Sequence, residues 1–165
     1  MRRDESGAEW LTRCHPDPAQ VWAEWDRQGV SMLPAGRLWD TVRLPQSLGL
    51  DVVDDLVRHD QLPEGAPLLA VPTRLYIFVP PGTATWWKEE GEDGTEAQGA
   101  GHWVSTVRPV ADGPQTSWRT FHQWISPPDG SHHLVSPVYL REALHRLTTR
   151  HGKAPSAGCI SEAGR

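Results

Sequence analysis

The sequence predicts an α+β fold: one domain over residues 1–149, with a central mixed or largely antiparallel sheet covered by about three helices. Two observations carry this. Segments run in the order helix, strand, helix, strands, helix, and the strands cluster mid-chain instead of alternating with helices. With 38% hydrophobic residues and 15 Gly among 165 residues, the apolar content matches that of chains with a real core, about 45–50%.

The first helix is expected in "HPDPAQVWAEWDRQG". Asp17 is placed to cap it, Pro18 suits the first helical position and Gly29 stops it. "VSML" then begins an extended stretch. In "GRLWDTVRLP", Leu38, Asp40, Val42 and Leu44 alternate with Trp39, Thr41 and Arg43, the period of a strand. "QSLGLDVVDDLVRHD" reads as a second helix. Val52, Val53, Leu56 and Val57 form its apolar face, and Asp51, Asp54, Asp55 and Asp60 face water.

"APLLAVPTRLYIFVPP" holds two strands, Leu68 to Val71 and Leu75 to Val79, joined by a hairpin turn at Pro72–Thr73. Residues 88–101, "KEEGEDGTEAQGAG", read as a flexible acidic loop. His102 to Val107 resumes as a strand. "WRTFHQWI" is expected as a last strand with Trp118, Thr120, His122 and Trp124 on one face. The final helix opens at Ser136–Pro137, and Leu140, Ala143, Leu144 and Leu147 follow its period. Residues 150–165 are polar and read as a disordered tail.

The charge balance argues against a dedicated nucleic-acid binder. Formal net charge is −5 and no basic stripe is visible. Two cysteines, Cys14 and Cys159, without a CxxC pair, suit a reducing compartment. "MRRDESGAEW" has no apolar run behind its arginines, and no stretch is long and apolar enough to span a bilayer. The expected location is the cytoplasm, away from any membrane.

Several chemistries lack their motifs. No HExxH, no Cys/His zinc spacing, no GxSxG, no GxGxxG and no GxxxxGK[ST] occurs. "VPPGT" cannot serve as a phosphate cradle, because proline lacks the amide hydrogens that bind phosphate. His102 and His122 are candidates to meet across neighbouring strands. Cys14 directly precedes His15, the wrong geometry for a nucleophile–base pair. No cofactor, no metal set and no catalytic residue is indicated.

Binding candidates remain. Asp40 sits mid-strand on an apolar face, so it must be paired or must shift its pKa. Arg43 and Arg74 are its candidate partners. Of the 9 tryptophans, Trp22, Trp25, Trp39, Trp118 and Trp124 fall on patterned elements and read as core. Trp86 and Trp87 follow a double proline beside the acidic loop. They read, with His102 and Trp103, as a contact surface.

"GRLWDTVRLPQSLGL", "LYIFVPPGTATW", "GHWVSTVRP", "WISPPDG" and "SPVYLREAL" resemble, in the same order, segments of short actinobacterial proteins. Those proteins look like degenerate relatives of the bifunctional primase–polymerase domain of the archaeo-eukaryotic primase superfamily. The resemblance covers roughly Val30 to Leu147. Active members carry a D-x-[DE] carboxylate pair for two metals and a strand bearing a nucleotide-holding histidine. Here Asp40 would match the first acid, but its partner position is Val42, and "PTRLYIF" has no histidine. The resemblance therefore implies a primase–polymerase-like domain without polymerase activity. Its expected role is binding or regulation, of a protein partner, of a second copy of itself, or weakly of a nucleotide or single strand. A protein-interaction module unrelated to nucleic acid is the alternative. An enzyme of another type would need Asp40, His102 or His122 to converge in a pocket.

Overall fold

The computed structural model describes residues 6–88, 91, 94–110, 116–117 and 121–152. The fold is α+β, and every strand pairing is antiparallel. Strands β2 (Asp40–Pro45), β3 (Leu68–Ala70), β4 (Arg74–Val79), β5 (Glu96–Gln98), β7 (Thr116–Ser117) and β8 (His122–Ser126) form a six-stranded sheet ordered β5-β2-β4-β3-β8-β7. β1 (Ser31–Pro34) and β6 (Trp103–Thr106) form a separate two-stranded ribbon.

Both faces of the large sheet are buried, and the alternation along β4 shows how. Leu75, Ile77 and Val79 point to one side, where α3 (Gln46–Arg58) and α5 (Pro137–Gly152) supply Val52, Leu56, Leu140 and Ala143. Phe78 and the half-buried Tyr76 point to the other. There α1 (Gly7–Thr12), α2 (Pro18–Gln28) and the ribbon contribute Trp10, Leu11, Val21, Trp25, Leu33 and Val104. Period-2 strands with apolar residues on both faces demand a layer on each side.

The helix signals act as their chemistry dictates. Asp17 accepts from Gln20 N at the start of α2, Pro18 is its first residue, and Gly29 closes it with φ 83°. That left-handed turn is open to glycine at little cost. Helix α1 was not expected, although "SGAE" spells a capping box. Ser6 Oγ accepts from Glu9 N, and Glu9 reaches back to Ser6 N. The hairpin between β3 and β4 has the expected two-residue loop, closed by Val71 N to Arg74 O and Arg74 N to Val71 O. Neither loop residue has positive φ. Pro72 forbids the mirror-image turns that commonly close such hairpins.

Four expectations need correction. Glu96–Gln98, read as part of a loop, add a strand to the edge of β2. The last strand begins later than expected: β8 covers His122–Ser126, Phe121 ahead of it has φ 55°, and Thr116–Ser117, read as loop, form a separate strand β7 paired antiparallel to it. Trp118 and Thr120 lie outside the described residues. The tail does not begin at residue 150, since α5 runs to Gly152. On α3, Val57 is exposed while Asp55 is buried. At 100° per residue, Asp55 falls beside Leu48 and Val52, whereas Val57 lies beyond Val53 at the far rim.

Candidate functional site

The sequence-predicted site residues do not share one site. Asp40 opens β2 opposite Val79, and Arg74 opens β4 opposite Pro45. Five residues of strand separate them, roughly 17 Å at about 3.4 Å per residue. Arg74 instead lies with its guanidinium against Gly94. Arg43 is on the opposite face of β2 from Asp40 and pairs with Glu96 at 2.9 Å. Neither expected arginine neutralises Asp40.

Asp40 holds a backbone turn. Its Oδ2 accepts from Ala84 N at 2.9 Å, at the start of α4 (Thr83–Trp86). The carboxyl is buried, and its Oδ1 has no hydrogen-bond partner among the described residues. Gly99 lets β5 approach this junction. A Cβ there would lie 2.9 Å from Ala84 Cβ and 3.1 Å from Asp40 Oδ2. Asp40 thus ties β2 to α4, with the end of β5 packed close against it. Val42, its D-x-[DE] partner position, is buried in the core with Leu44.

The adjacent tryptophans separate. Trp87 is 5% exposed and packs in the core beneath α3 and α5, while Trp86 is 43% exposed. Pairing Trp87 with Trp86 as contact residues is therefore wrong. The double proline ends β4, Thr83 bonds back to Pro80 O through both N and Oγ1, and the single turn of α4 points Trp87 inward.

His102 and Trp103 lie at the start of the ribbon. His102 Nε2 is 3.4 Å from Glu96 Oε1, so Glu96 bridges His102 and Arg43 at the surface. Trp103 is 50% exposed, with His15 against it edge-on at 6.0 Å. His122 belongs to β8 in the other sheet, so the two histidines do not meet across neighbouring strands. Among the described residues, no three His, Cys, Asp or Glu side chains cluster to hold a metal ion. None of the described helices is long and apolar enough to cross a membrane.

On the ribbon side of β2 runs a line of buried polar atoms. Trp39 Nε1, Thr41 Oγ1, Arg43 Nε and Gln98 Oε1 have no hydrogen-bond partner among the described residues. Thr41 and Gln98 face each other across the β2–β5 ladder.

A second polar feature escaped the sequence reading. Arg146 on α5 donates from Nε at 2.9 Å and Nη2 at 2.6 Å to Asp55 Oδ2 on α3, and Nη2 also reaches Gln61 Oε1 at 3.3 Å. His59 Nδ1 stands 3.6 Å from the same oxygen. Burial alone would raise the Asp55 carboxyl. The hydrogen bonds and charge of Arg146, aided by His59 and Arg150, outweigh it and hold the pKa below the ordinary aspartate value. The signal in the sequence was the helical wheel, which sets Asp55 beside the apolar stripe.

Cys14 is fully buried and donates to Leu11 O at 3.1 Å. Burial pushes its thiol up to about 12, so almost no nucleophilic thiolate forms near neutral pH. His15 turns away, its Nδ1 bonded to Asp17 N. Iodoacetamide at pH 8 is expected to leave Cys14 unmodified in the folded protein and to label it in urea, read by peptide mass spectrometry. Labelling in the native state would contradict the burial.

These features define an antiparallel α+β domain with a carboxylate-tethered turn, a buried inter-helix ion pair and an aromatic ribbon face. No protein-family model, curated protein or solved structure matches the chain.

Proposed function

We propose that this protein acts by binding, as a non-catalytic regulatory domain of primase–polymerase-like ancestry, and that it engages a protein partner through the outer face of the β1–β6 ribbon. One observation carries the reading. Met32 (46% exposed) and Trp103 (50% exposed) lie on the outer side of a two-stranded ribbon whose inner residues, Leu33 and Val104, are completely buried. Met32 pairs with Ser105 and Trp103 with Pro34, so Met32 and Trp103 are diagonal neighbours. A methionine and a tryptophan side by side are typical of interface centres.

The non-catalytic part of the reading draws on Asp40. One carboxyl oxygen, Oδ2, is committed to Ala84 N, and the position two residues on is a core valine. Two-metal phosphoryl transfer needs several carboxylates converging on the metals. The protein-partner part draws on charge, because a net −5 chain repels phosphate.

The test pairs two measurements. A photo-crosslinking residue at Met32 is expected to capture a discrete partner from native lysate, and Trp103→Asp to abolish that capture. Fluorescence anisotropy with labelled single-stranded DNA is expected to show no binding at low salt. Salt-sensitive oligonucleotide binding would replace the protein partner with nucleic acid. Capture that survives Trp103→Asp would remove the ribbon face from the proposal.

A further inference from the structure

We infer that the partner contributes an extended segment of its own chain, which adds as a third strand to the outer edge of β6. This deepens the reading of the β1–β6 ribbon as a partner face and rests on it. The phase of the ladder shows which edge is open. Ser31 pairs with Thr106, Met32 with Ser105, Leu33 with Val104 and Pro34 with Trp103. One step further, Ala35 N donates to His102 O at 3.0 Å. Along an antiparallel ladder, hydrogen-bonded pairs alternate with pairs that are not bonded to each other. Ala35–His102 fixes the alternation. Leu33–Val104 and Ser31–Thr106 are bonded pairs. Pro34–Trp103 and Met32–Ser105 are the others, and their backbone groups point away from the ribbon.

The two outer edges differ. On β1 the outward groups are Met32 N–H, Met32 C=O and Pro34 C=O, since proline has no N–H. A proline on an edge strand interrupts further pairing. On β6 the outward groups are the N–H and C=O of both Trp103 and Ser105, with no interruption. β6 pairs with β1 alone. Among the described residues, neither Trp103 nor Ser105 makes any other backbone hydrogen bond.

This pattern selects its occupant. Two donors and two acceptors alternate along the edge and recur after two residues, about 7 Å. An extended polypeptide offers the matching acceptors and donors at the same repeat. A phosphodiester backbone offers acceptors without donors, and a helix spends its backbone groups internally. Trp103 and Ser105 both face outward with Met32. Residues of the added strand opposite them lie on that same face, and an apolar one beside Trp103 extends the Met32–Trp103 patch. A second copy of the chain presents the same groups, but its β6 has only 4 residues. So short a contact is a small part of the roughly 1,200 Å² that stable interfaces bury. A partner adds its segment to the edge and its other contacts to the ribbon face, so the strand supplies register and not the whole interface.

Peptides selected on the full chain from a phage-displayed random dodecapeptide library are the probe, and amide hydrogen exchange by 15N–1H NMR is the readout. In the free chain, the Trp103 and Ser105 amides should exchange fast and those of Val104 and Thr106 slowly. Saturating peptide should slow Trp103 and Ser105 by about tenfold or more, the equivalent of one good hydrogen bond each. The same peptide with alternate backbone amides methylated should not bind. Ser105→Pro removes one outward N–H and spares the ladder to β1, as Pro34 does on the other strand. It should weaken the peptide about tenfold, and Ser105→Ala, which keeps the N–H, should bind like the natural chain. No peptide that protects these two amides, equal binding of the methylated peptide, or full affinity in Ser105→Pro would each overturn the inference. Protection in the free chain that grows with protein concentration would assign the edge to a second copy and overturn it as well. The partner face is read separately: capture at Met32 that survives Ser105→Pro but not Trp103→Asp would leave that face standing and remove strand addition.

Discussion

Arg146→Met is expected to destabilise the fold by about 3 kcal/mol, the low end of the cost of breaking a buried ion pair. The low end applies because the Arg146 side chain is 27% exposed while Asp55 is 2% exposed. The loss arises from what remains behind: a buried carboxylate between two helices that has lost both of its arginine hydrogen bonds and keeps only His59 and Arg150 nearby. Asp55→Leu combined with Arg146→Met should return stability to within about 1 kcal/mol of the natural chain, since replacing both charges with apolar groups removes the desolvation cost. Urea unfolding midpoints measure both. A single-variant loss under about 1 kcal/mol would mean that the pair behaves as a surface salt bridge.

The pH dependence follows from the sign of the shift. The folded Asp55 pKa lies below its unfolded value. The pair's contribution is therefore complete above the unfolded aspartate pKa, about 3.9, and is lost as pH falls through the lower folded value. In Arg146→Met the strongest lowering influence is gone, and burial is opposed only by the charges of His59 and Arg150. The gap in stability between the natural chain and the variant should be widest near neutrality and should shrink as pH drops toward 3. A gap that stays constant over that range would exclude Asp55 as its source.

Trp87→Ala is expected to cost about 3–5 kcal/mol, the usual range for emptying a tryptophan-sized hole in a core. Trp86→Ala should cost about 1 kcal/mol, because only a half-exposed ring and its tilted contact with Trp87 are lost. The ring centroids are 6.2 Å apart, so part of the loss in each variant is shared. Thermal unfolding of the two variants orders them directly. The reverse order would return Trp87 to the surface and Trp86 to the core. For function, partner capture at the ribbon should survive Trp86→Ala, as that ring is not on the ribbon.

Elements with strong local signals were legible. Helices α2 and α5, the β3–β4 hairpin and the strand at Arg74–Val79 each carry their own period and their own stop residue, so short-range chemistry determines them. The misses share a different cause. Glu96–Gln98 have no strand propensity to speak of, and they pair because β2 offers an open edge. Trp87 and Trp86 are identical in type and adjacent, and only the turn that follows Pro80–Pro81 distinguishes inside from outside. The candidate site was partly visible: Trp103 is exposed as expected, Asp40 is buried as expected, and His102 joins a surface network. What the sequence missed was pairing over long separations, such as Asp55 with Arg146 and Arg43 with Glu96.

By itself, the sequence determined the α+β class, the amphipathic helices and a central strand with apolar residues on both faces, because side-chain periodicity and capping act within a few residues. Only the tertiary structure decided which polar groups are paired and which of two tryptophans is buried. Those outcomes depend on contacts between residues dozens of positions apart, where the free energy belongs to the packed pair and not to either residue alone.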